Sequence, residues 1–285
     1  MQCIAIIYKR GRADAAALAR ELRCQLEARG VHVFCAQNID DANPCRPQQR
    51  INIPESAEAV VVLGGDGTFL SVARFLEDRS TPIVGVNLGG LGFLTEITKD
   101  DCFRDLLEIF EGPCTTEERM RLMVEVHRRG REIFRQSVLN DAVINKGALA
   151  RIVDLKTSID GRLLTNYRAD GLIVATPTGS TAYNLSAGGP IVYPTAHTII
   201  LTPICPFTLT NRPIIMPSEV TVEVEVGERA HDVDLTCDGQ VGCALMASDR
   251  VLLSASSNPL RLLKSSSTDY FEILRTKLKW GHAEP

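Results

Sequence analysis

With 285 residues, 45% of them hydrophobic and 23% charged, the chain has the composition of an ordinary globular protein and room for two domains or one large one. A formal net charge of −4 supplies no basic footprint, which argues against a nucleic-acid partner. No apolar stretch approaches the length that crosses a bilayer, and the apolar start at Cys3–Tyr8 is too short for a signal-peptide core.

In chain order, Cys3–Tyr8 reads as a buried parallel strand. Leu18, Leu22 and Leu26 share one face of a helix predicted over Asp14–Arg29, with Gly30 placed to end it. Val31–Cys35 follows as a second strand, and the polar, proline-bearing stretch 36–58 reads as a loop or short helix. The run Ala59-Val60-Val61-Val62 has the unbroken apolar character of a strand buried on both faces. It leads into Leu63-Gly64-Gly65-Asp66-Gly67-Thr68. A helix over 68–78, capped by Thr68, and a strand over 82–86 come next. Asn87–Thr95 carries Gly89, Gly90 and Gly92, which exclude regular structure and suggest a flexible loop. Its Phe93 either packs on a base or plugs the core. A helix over Asp100–Glu111 and an exit at Pro113 complete an alternation of strands and helices, the pattern of a doubly wound, Rossmann-like parallel sheet.

The texture changes near residue 119. Arg121–Arg128 and Glu132–Leu139 alternate around Arg129-Gly130-Arg131, and Ile152–Ile159 and Arg162–Tyr167 flank Asp160-Gly161, so each pair reads as a hairpin. Val220–Val226, Val233–Cys237 and Arg250–Ser254 add short strands. Residues 1–118 are therefore read as an α/β domain, 119–262 as a mostly antiparallel β-sandwich-like domain, and 263–285 as a C-terminal segment. Its helix, over Thr268–Trp280 with Phe271, Leu274 and Leu278 on one face, needs the first domain or an interface to bury against. The nine cysteines are scattered and contain no Cys-x-x-Cys pair, and the five histidines are dispersed, which speaks for reduced thiols and against a zinc site. A cytoplasmic setting is expected.

Four stretches carry candidate chemistry. Asp66 is a carboxylate held between glycines at a strand end, beside helix amides that suit an anion; that combination fits an enzyme that deprotonates and phosphorylates a hydroxyl. Gly64, Gly65, Gly67 and Thr68 read as the phosphate-binding part of this turn. Asn140-Asp141 combines donor and acceptor groups able to grip a diol, or else forms a simple Asx turn. Asp170 leads through a short strand into Thr176-Pro177-Thr178-Gly179-Ser180-Thr181-Ala182-Tyr183-Asn184, too long and too rich in hydroxyls for a single helix cap. Cys237-Asp238-Gly239-Gln240 reads, from its residues alone, as a hairpin turn. Phosphate loops of the Gly-x-x-x-x-Gly-Lys-Ser/Thr type, protein-kinase motifs, the Gly-x-Gly-x-x-Gly fingerprint and the Gly-x-Ser-x-Gly elbow are all missing.

Together these stretches resemble the NAD kinases. Gly64-Gly65-Asp66-Gly67, the Leu-Gly-Phe-Leu-Thr ending of Asn87–Thr95, Asn140-Asp141 and Asp170–Tyr183 match the family's signatures, and Pro203-Ile204-Cys205-Pro206, Asn211-Arg212-Pro213 and Asp269–Trp280 resemble bacterial members. The resemblance implies transfer of the γ-phosphoryl of ATP to the adenosine 2′-hydroxyl of NAD, with Asp66 as proton acceptor and Mg²⁺ or another divalent cation accompanying ATP. It places NAD against Asp66, Gly67, Phe93, Asn140, Asp141, Arg151, Arg168, Asp170, Thr178, Thr181, Ala182, Tyr183, Asn184, Leu185, Ser186, Cys205 and Gln240. Asn140 and Asp141 would hold adenosine, Asp170 and Thr181–Ser186 would take the nicotinamide side, and Arg168 would stand near the 2′-position. Cys205 departs from the small alanine often found there. The family's substrate pocket lies between two domains, and its members are homodimers or homotetramers. The alternatives are a lipid kinase of the diacylglycerol or sphingoid type, which shares the Asp66 turn, and a non-catalytic NAD or NADP sensor. No membrane partner is expected.

Overall fold

A computed structural model describes residues 1–39, 51–76, 79–112, 115–147, 152–264 and 269–280. These divide into two compact units, one formed by the residues up to 118 together with those from 260 onward, the other by 119–259. Pro113, Arg151, Thr268 and the last two positions of the helix expected over 68–78 lie outside the described residues.

The first unit is built on β1 (Cys3–Tyr8), α1 (Ala13–Glu27), β2 (His32–Gln37), β3 (Ala59–Gly64), α2 (Asp66–Arg74), β4 (Ile83–Asn87), β5 (Ile97–Thr98), α3 (Cys102–Glu111) and β6 (Thr116–Arg119). The strand Leu260–Leu263 and the helix Tyr270–Leu278 complete it. Its seven-stranded sheet runs β2-β1-β3-β4, then Leu260–Leu263, then β6, with β5 also on β4. β1 pairs in parallel with β2 and β3, and β3 with β4. Every residue of β3 is buried, as expected for an apolar run covered on both faces. Leu18, Leu22 and Leu26 of α1 pack with Ile4, Ile6, Val61 and Leu106. Gly30 takes φ +79° just after α1, where a side chain would be strained.

Two readings need correction here. α2 starts at Asp66 with Gly65 as its N-cap, so Thr68 lies inside the first turn and is buried rather than capping. The terminal helix starts at Tyr270, capped by the Asp269 carboxylate on the Phe271 amide at 3.2 Å. It buries Ile273 and Leu274 and leaves Phe271 exposed, a rotation of its inner face away from the expected stripe.

The second unit contains β7 (Leu122–Arg128), β8 (Arg131–Val138), β9 (Asp141–Lys146), β10 (Val153–Ile159), β11 (Arg162–Ala169), β12 (Gly171–Ala175), a 3₁₀ turn (Thr178–Thr181) and α4 (Tyr183–Ser186). β13 (Thr198–Ile204), β14 (Ile214–Pro217), β15 (Val222–Val226), β16 (Val233–Cys237), β17 (Val241–Leu245) and β18 (Arg250–Ala255) follow. One six-stranded sheet runs β11-β10-β15-β18-β7-β8 and the other β14-β13-β12-β9-β16-β17. Val124, Leu155, Val224 and Leu253 of the first pack against Ile144, Leu172, Leu201 and Leu235 of the second, the core of a sandwich. The opposite face of the second sheet is also apolar: Val143, Ile173, Ala175 and Ile200 meet Ala187 and Val192 of the loop after β12. Arg129-Gly130, Asp160-Gly161 and Asp238-Gly239 all take positive φ at the tips of their hairpins. The chain is an α/β unit plus an all-β unit.

Among the described residues no helix is long and apolar enough to cross a membrane. The seven described cysteines form no disulfide with one another.

Candidate active site

In the first unit, parallel pairing brings the ends of three strands to one edge: Tyr8 stands opposite Leu63, and Gly64 opposite Asn87. Ligand sites in open α/β sheets lie at this carboxyl edge. Asp66 opens α2 there, and its carboxylate turns toward the loop after β4. Oδ1 accepts from the amides of Leu94 (3.2 Å) and Thr95 (3.1 Å) and from the Thr95 hydroxyl (2.9 Å). Oδ2 accepts from the Phe93 amide at 2.9 Å. Asn87 steadies the same loop, donating to Thr95 Oγ1 at 2.7 Å and accepting from the Gly89 amide at 2.7 Å. Glycine is required twice: a Cβ at Gly64 would lie 2.6 Å from Thr68 Oγ1, and one at Gly92 would overlap the Asp66 carboxylate.

A cleft of about 230 Å³ opens on Asp66, lined by Gly64, Gly65 and the glycines of the 88–92 loop and ringed by Lys9, Arg12 and Lys277. Arg12 is braced by Asp14 and by the Leu88 carbonyl at 3.3 Å. Lys277 Nζ of the terminal helix stands 5.8 Å from the centre of the Phe93 ring, within cation–π range. Backbone amides, three cations and one oriented carboxylate suit a polyphosphate next to a hydroxyl.

In the second unit, Asn140 and Asp141 stand at the start of β9 and line a cavity of about 350 Å³ with Val143, Asn145, Ala182, Tyr183, Thr236, Asp238 and Gly239. The turn reading of 237–240 holds, and the turn does more than reverse the chain. Asp238 accepts from the amides of Leu139 (2.9 Å), Asn140 (2.7 Å) and Asp141 (3.1 Å), fixing the backbone of the Asn-Asp pair. Burial, and then the Asp238 charge, push Asp141 up to about 7. Burial pushes Asp238 upward as well, opposed by the three amides and by Arg121. Thr176 ties the loop to this corner, donating to the Leu139 carbonyl at 2.5 Å and accepting from the Gly179 amide at 3.0 Å. Gly179 packs on the Asn140 backbone so tightly that no Cβ fits.

The remaining residues of the sequence reading are spread around this unit. Thr178 is buried and accepts from Arg119 at 3.5 Å, and Thr181 donates to the Thr178 carbonyl at 3.3 Å. Asn184 is fully buried: its amide donates to the carbonyls of Ser180 and Pro190, both at 3.0 Å, and accepts from Thr202 at 2.7 Å. Its side chain therefore holds the loop together. Leu185 is half-buried and Ser186 exposed in α4. Asp170 faces Lys146 at 3.7 Å, whereas Arg168 pairs with Asp154 at 3.3 Å and lies over the Phe207 ring. Cys205 is exposed with φ 43°, and Gln240 sits half-buried in the Asp238 turn. The cavity thus gathers Asn140, Asp141, Ala182 and Tyr183; Arg168, Asp170, Cys205 and Gln240 are not among its walls.

Sequence reasoning missed Lys9, Arg12 and Lys277, three ordinary surface cations until the sheet edge brings them together, and it missed the reach of Asp238. Elsewhere, Glu125, His127 and Glu132 bring possible metal-ligand atoms together on β7 and β8, but Arg135 pairs with both glutamates, at 2.6 and 3.3 Å.

Residues 4–114 match the ATP-NAD kinase N-terminal domain and 139–265 the ATP-NAD kinase C-terminal domain. An NAD kinase of Syntrophobacter fumaroxidans is 62% identical over 283 residues, covering 99% of this chain and 100% of that one. One of Geotalea daltonii is 49% identical over 282 residues, covering 99% of each. Among solved structures, an NAD kinase from Archaeoglobus fulgidus in complex with ATP superposes with a TM-score of 0.76 at 26% identity, covering 97% of this chain and 98% of that one. Yeast NADH kinase complexed with NADH shares the fold, with a TM-score of 0.86 at 22% identity over 100% of this chain and 89% of that one. Nothing in these likenesses supports the lipid-kinase alternative. With both family domains matched and full-length relatives far above the level at which kinship is in doubt, the chain belongs to the NAD kinases, phosphotransferases that act on NAD.

Proposed function

We propose that Asp66 receives the proton of the adenosine 2′-hydroxyl as the γ-phosphoryl of ATP is transferred to it, giving NADP. The observation that carries this reading is the unequal load on the carboxylate. A carboxylate has about four lone-pair sites, two on each oxygen. Among the described residues Oδ1 already accepts three hydrogen bonds, whereas Oδ2 accepts only that of Phe93, which leaves Oδ2 a position for a substrate hydroxyl. The transition state of phosphoryl transfer is loose, so the proton leaves late and orientation counts for more than basicity. Lys9, Arg12 and Lys277, with the amides around Gly64, Gly65, Gly67 and Thr68, would balance the charge of the phosphates.

In the second unit, Asn140 and Asp141 would hold adenosine in their cavity, with Ala182 leaving space for a flat ring and Tyr183 as its wall. Asp170, Thr181, Leu185 and Ser186 remain the candidates for the nicotinamide side, and Arg168, Cys205 and Gln240 for further contacts. Arg151 is carried on the family resemblance alone. Among the described residues the Asp66 cleft offers a metal one carboxylate, already oriented by the Phe93–Thr95 loop, and its other charged side chains are cations, which is too few anionic ligands for a metal cage. A divalent cation would enter on the phosphate oxygens of ATP, where it neutralises charge. A homodimer or homotetramer in the cytoplasm is the assembly and setting we assign from the family resemblance.

The test is incubation of the purified protein with NAD, ATP and Mg²⁺, with NADP read by an NADP-specific dehydrogenase. Product formation that Asp66→Asn slows by orders of magnitude, with NAD still bound, is the expected result. Binding of NAD without product in the unmodified protein would favour the sensor, and an Asp66→Asn variant changed only in KM would remove Asp66 as proton acceptor.

A further inference from the structure

Asp141 is 4% exposed, yet among the described residues none donates a hydrogen bond to its carboxylate. Its neighbour differs. Asp238 sits on the turn between β16 and β17 and spends its oxygens on three amides, one of them that of Asp141 itself; both residues line the cavity, and the Asp238 carboxyl is near enough for its charge to act on that of Asp141. Two adjacent buried carboxylates do not both ionise readily, and the one with donors keeps the charge. Those donors, reinforced by Arg121 ahead of β7, belong to Asp238. Among the described residues nothing comparable faces Asp141. β12 brings Ala175 opposite it, α4 brings Tyr183, a third titratable group of the cavity, and the remaining polar walls are Asn140, Asn145 and Thr236; among the described residues no lysine or arginine lines the cavity.

We propose that Asp141 meets the dinucleotide as a neutral carboxylic acid, donating its O–H to a ring nitrogen of the purine and accepting from the adjacent exocyclic amine, so that binding at alkaline pH takes up one proton from solvent. This rests on the placing of adenosine at Asn140 and Asp141. A neutral carboxyl offers one donor and one acceptor, the same pair that the Asn140 amide offers beside it, and an adenine edge presents the complement. An ionised Asp141 offers only acceptors, and would have to be covered by the base next to the fixed charge of Asp238. Burial and Asp238 already push Asp141 up to about 7, and a purine stacked over it would remove more water from around it.

Calorimetric titration of NAD into the full chain at pH 8, in two buffers of different ionisation enthalpy, counts the protons. Uptake of about one proton per NAD is expected, with affinity falling about tenfold for each pH unit above neutrality. Asp141→Asn, which keeps a donor and an acceptor but cannot titrate, is expected to abolish both the uptake and the pH dependence. Zero uptake, proton release, or an Asp141→Asn variant that still takes up the proton would overturn the proposal while leaving the adenosine site in place, provided that Asn140→Ala weakens NAD binding. If Asn140→Ala binds NAD as the parent does, adenosine lies elsewhere and both assignments fall.

Discussion

Gly92 and Asp66 fit against each other without space for a methyl group: a Cβ at position 92 would stand inside the van der Waals surface of Asp66 Oδ1 and of Thr95 Oγ1. The loop after β4 is therefore shaped around the carboxylate that it orients. Gly92→Ala, at a position with no positive φ to defend, should push Asp66 out of line and lower kcat by about 100-fold, the scale of a 1 Å misplacement. Steady-state kinetics would check this; an unchanged kcat would mean that the carboxylate needs no such alignment.

Removal of the proton acceptor should act on kcat. Asp66→Asn is expected to reduce it by about 10²- to 10⁴-fold, with little change in NAD affinity, as measured by turnover and by direct binding.

The cationic rim of the first unit should act on ATP. Lys277→Ala is expected to raise KM for ATP by roughly tenfold, and Lys277→Arg to recover part of the loss, because a phosphate is attracted by charge more than by shape. Equal KM values for Lys277→Ala and the parent would exclude the lysine from phosphate binding.

Asp141 should also leave a mark on folding. Its folded value of about 7 lies above the ordinary 3.8, so the native state holds a proton that the unfolded chain has released. The stabilisation is complete below about pH 4 and is lost as pH rises through about 7. Asp141→Asn, neutral at every pH, should therefore raise the melting temperature more at pH 8 than at pH 5. A greater gain at pH 5 would reverse the assignment.

Asn184 tests the loop after β12. Asn184→Ala strands the carbonyls of Ser180 and Pro190 and the Thr202 hydroxyl in a dry interior, and should cost about 2–4 kcal/mol in chemical denaturation. A loss of NAD binding without that destabilisation would return the side chain to the ligand.

Much of this was readable in the residues because it depends on local pattern. The apolar run of β3, the leucine stripe of α1 and the Asp-Gly tips of two hairpins announce themselves by composition and spacing, and Asp66 by its isolation between glycines. The short strand Leu260–Leu263 did not, because four residues without alternation gain their identity from β4 and β6, the strands between which they lie. The inner face of the terminal helix was legible only in part: Leu274 is buried as expected, but packing turned Phe271 outward and buried Ile273 in its stead. Long-range partners were invisible in principle: nothing near Asp238 says that it will bind an amide 99 positions earlier.

The place of Leu260–Leu263 also sets an order of events during synthesis. β4 and β6 emerge from the ribosome early, but the strand that joins them comes only after the entire sandwich has been made. Until then the nascent sheet keeps an open flank, the kind of surface on which unfinished chains pair with one another. Stop codons or proteolytic cuts ahead of residue 260 should therefore yield protein that aggregates through its first unit, even though the severed piece carries none of the residues around Asp66 except Lys277.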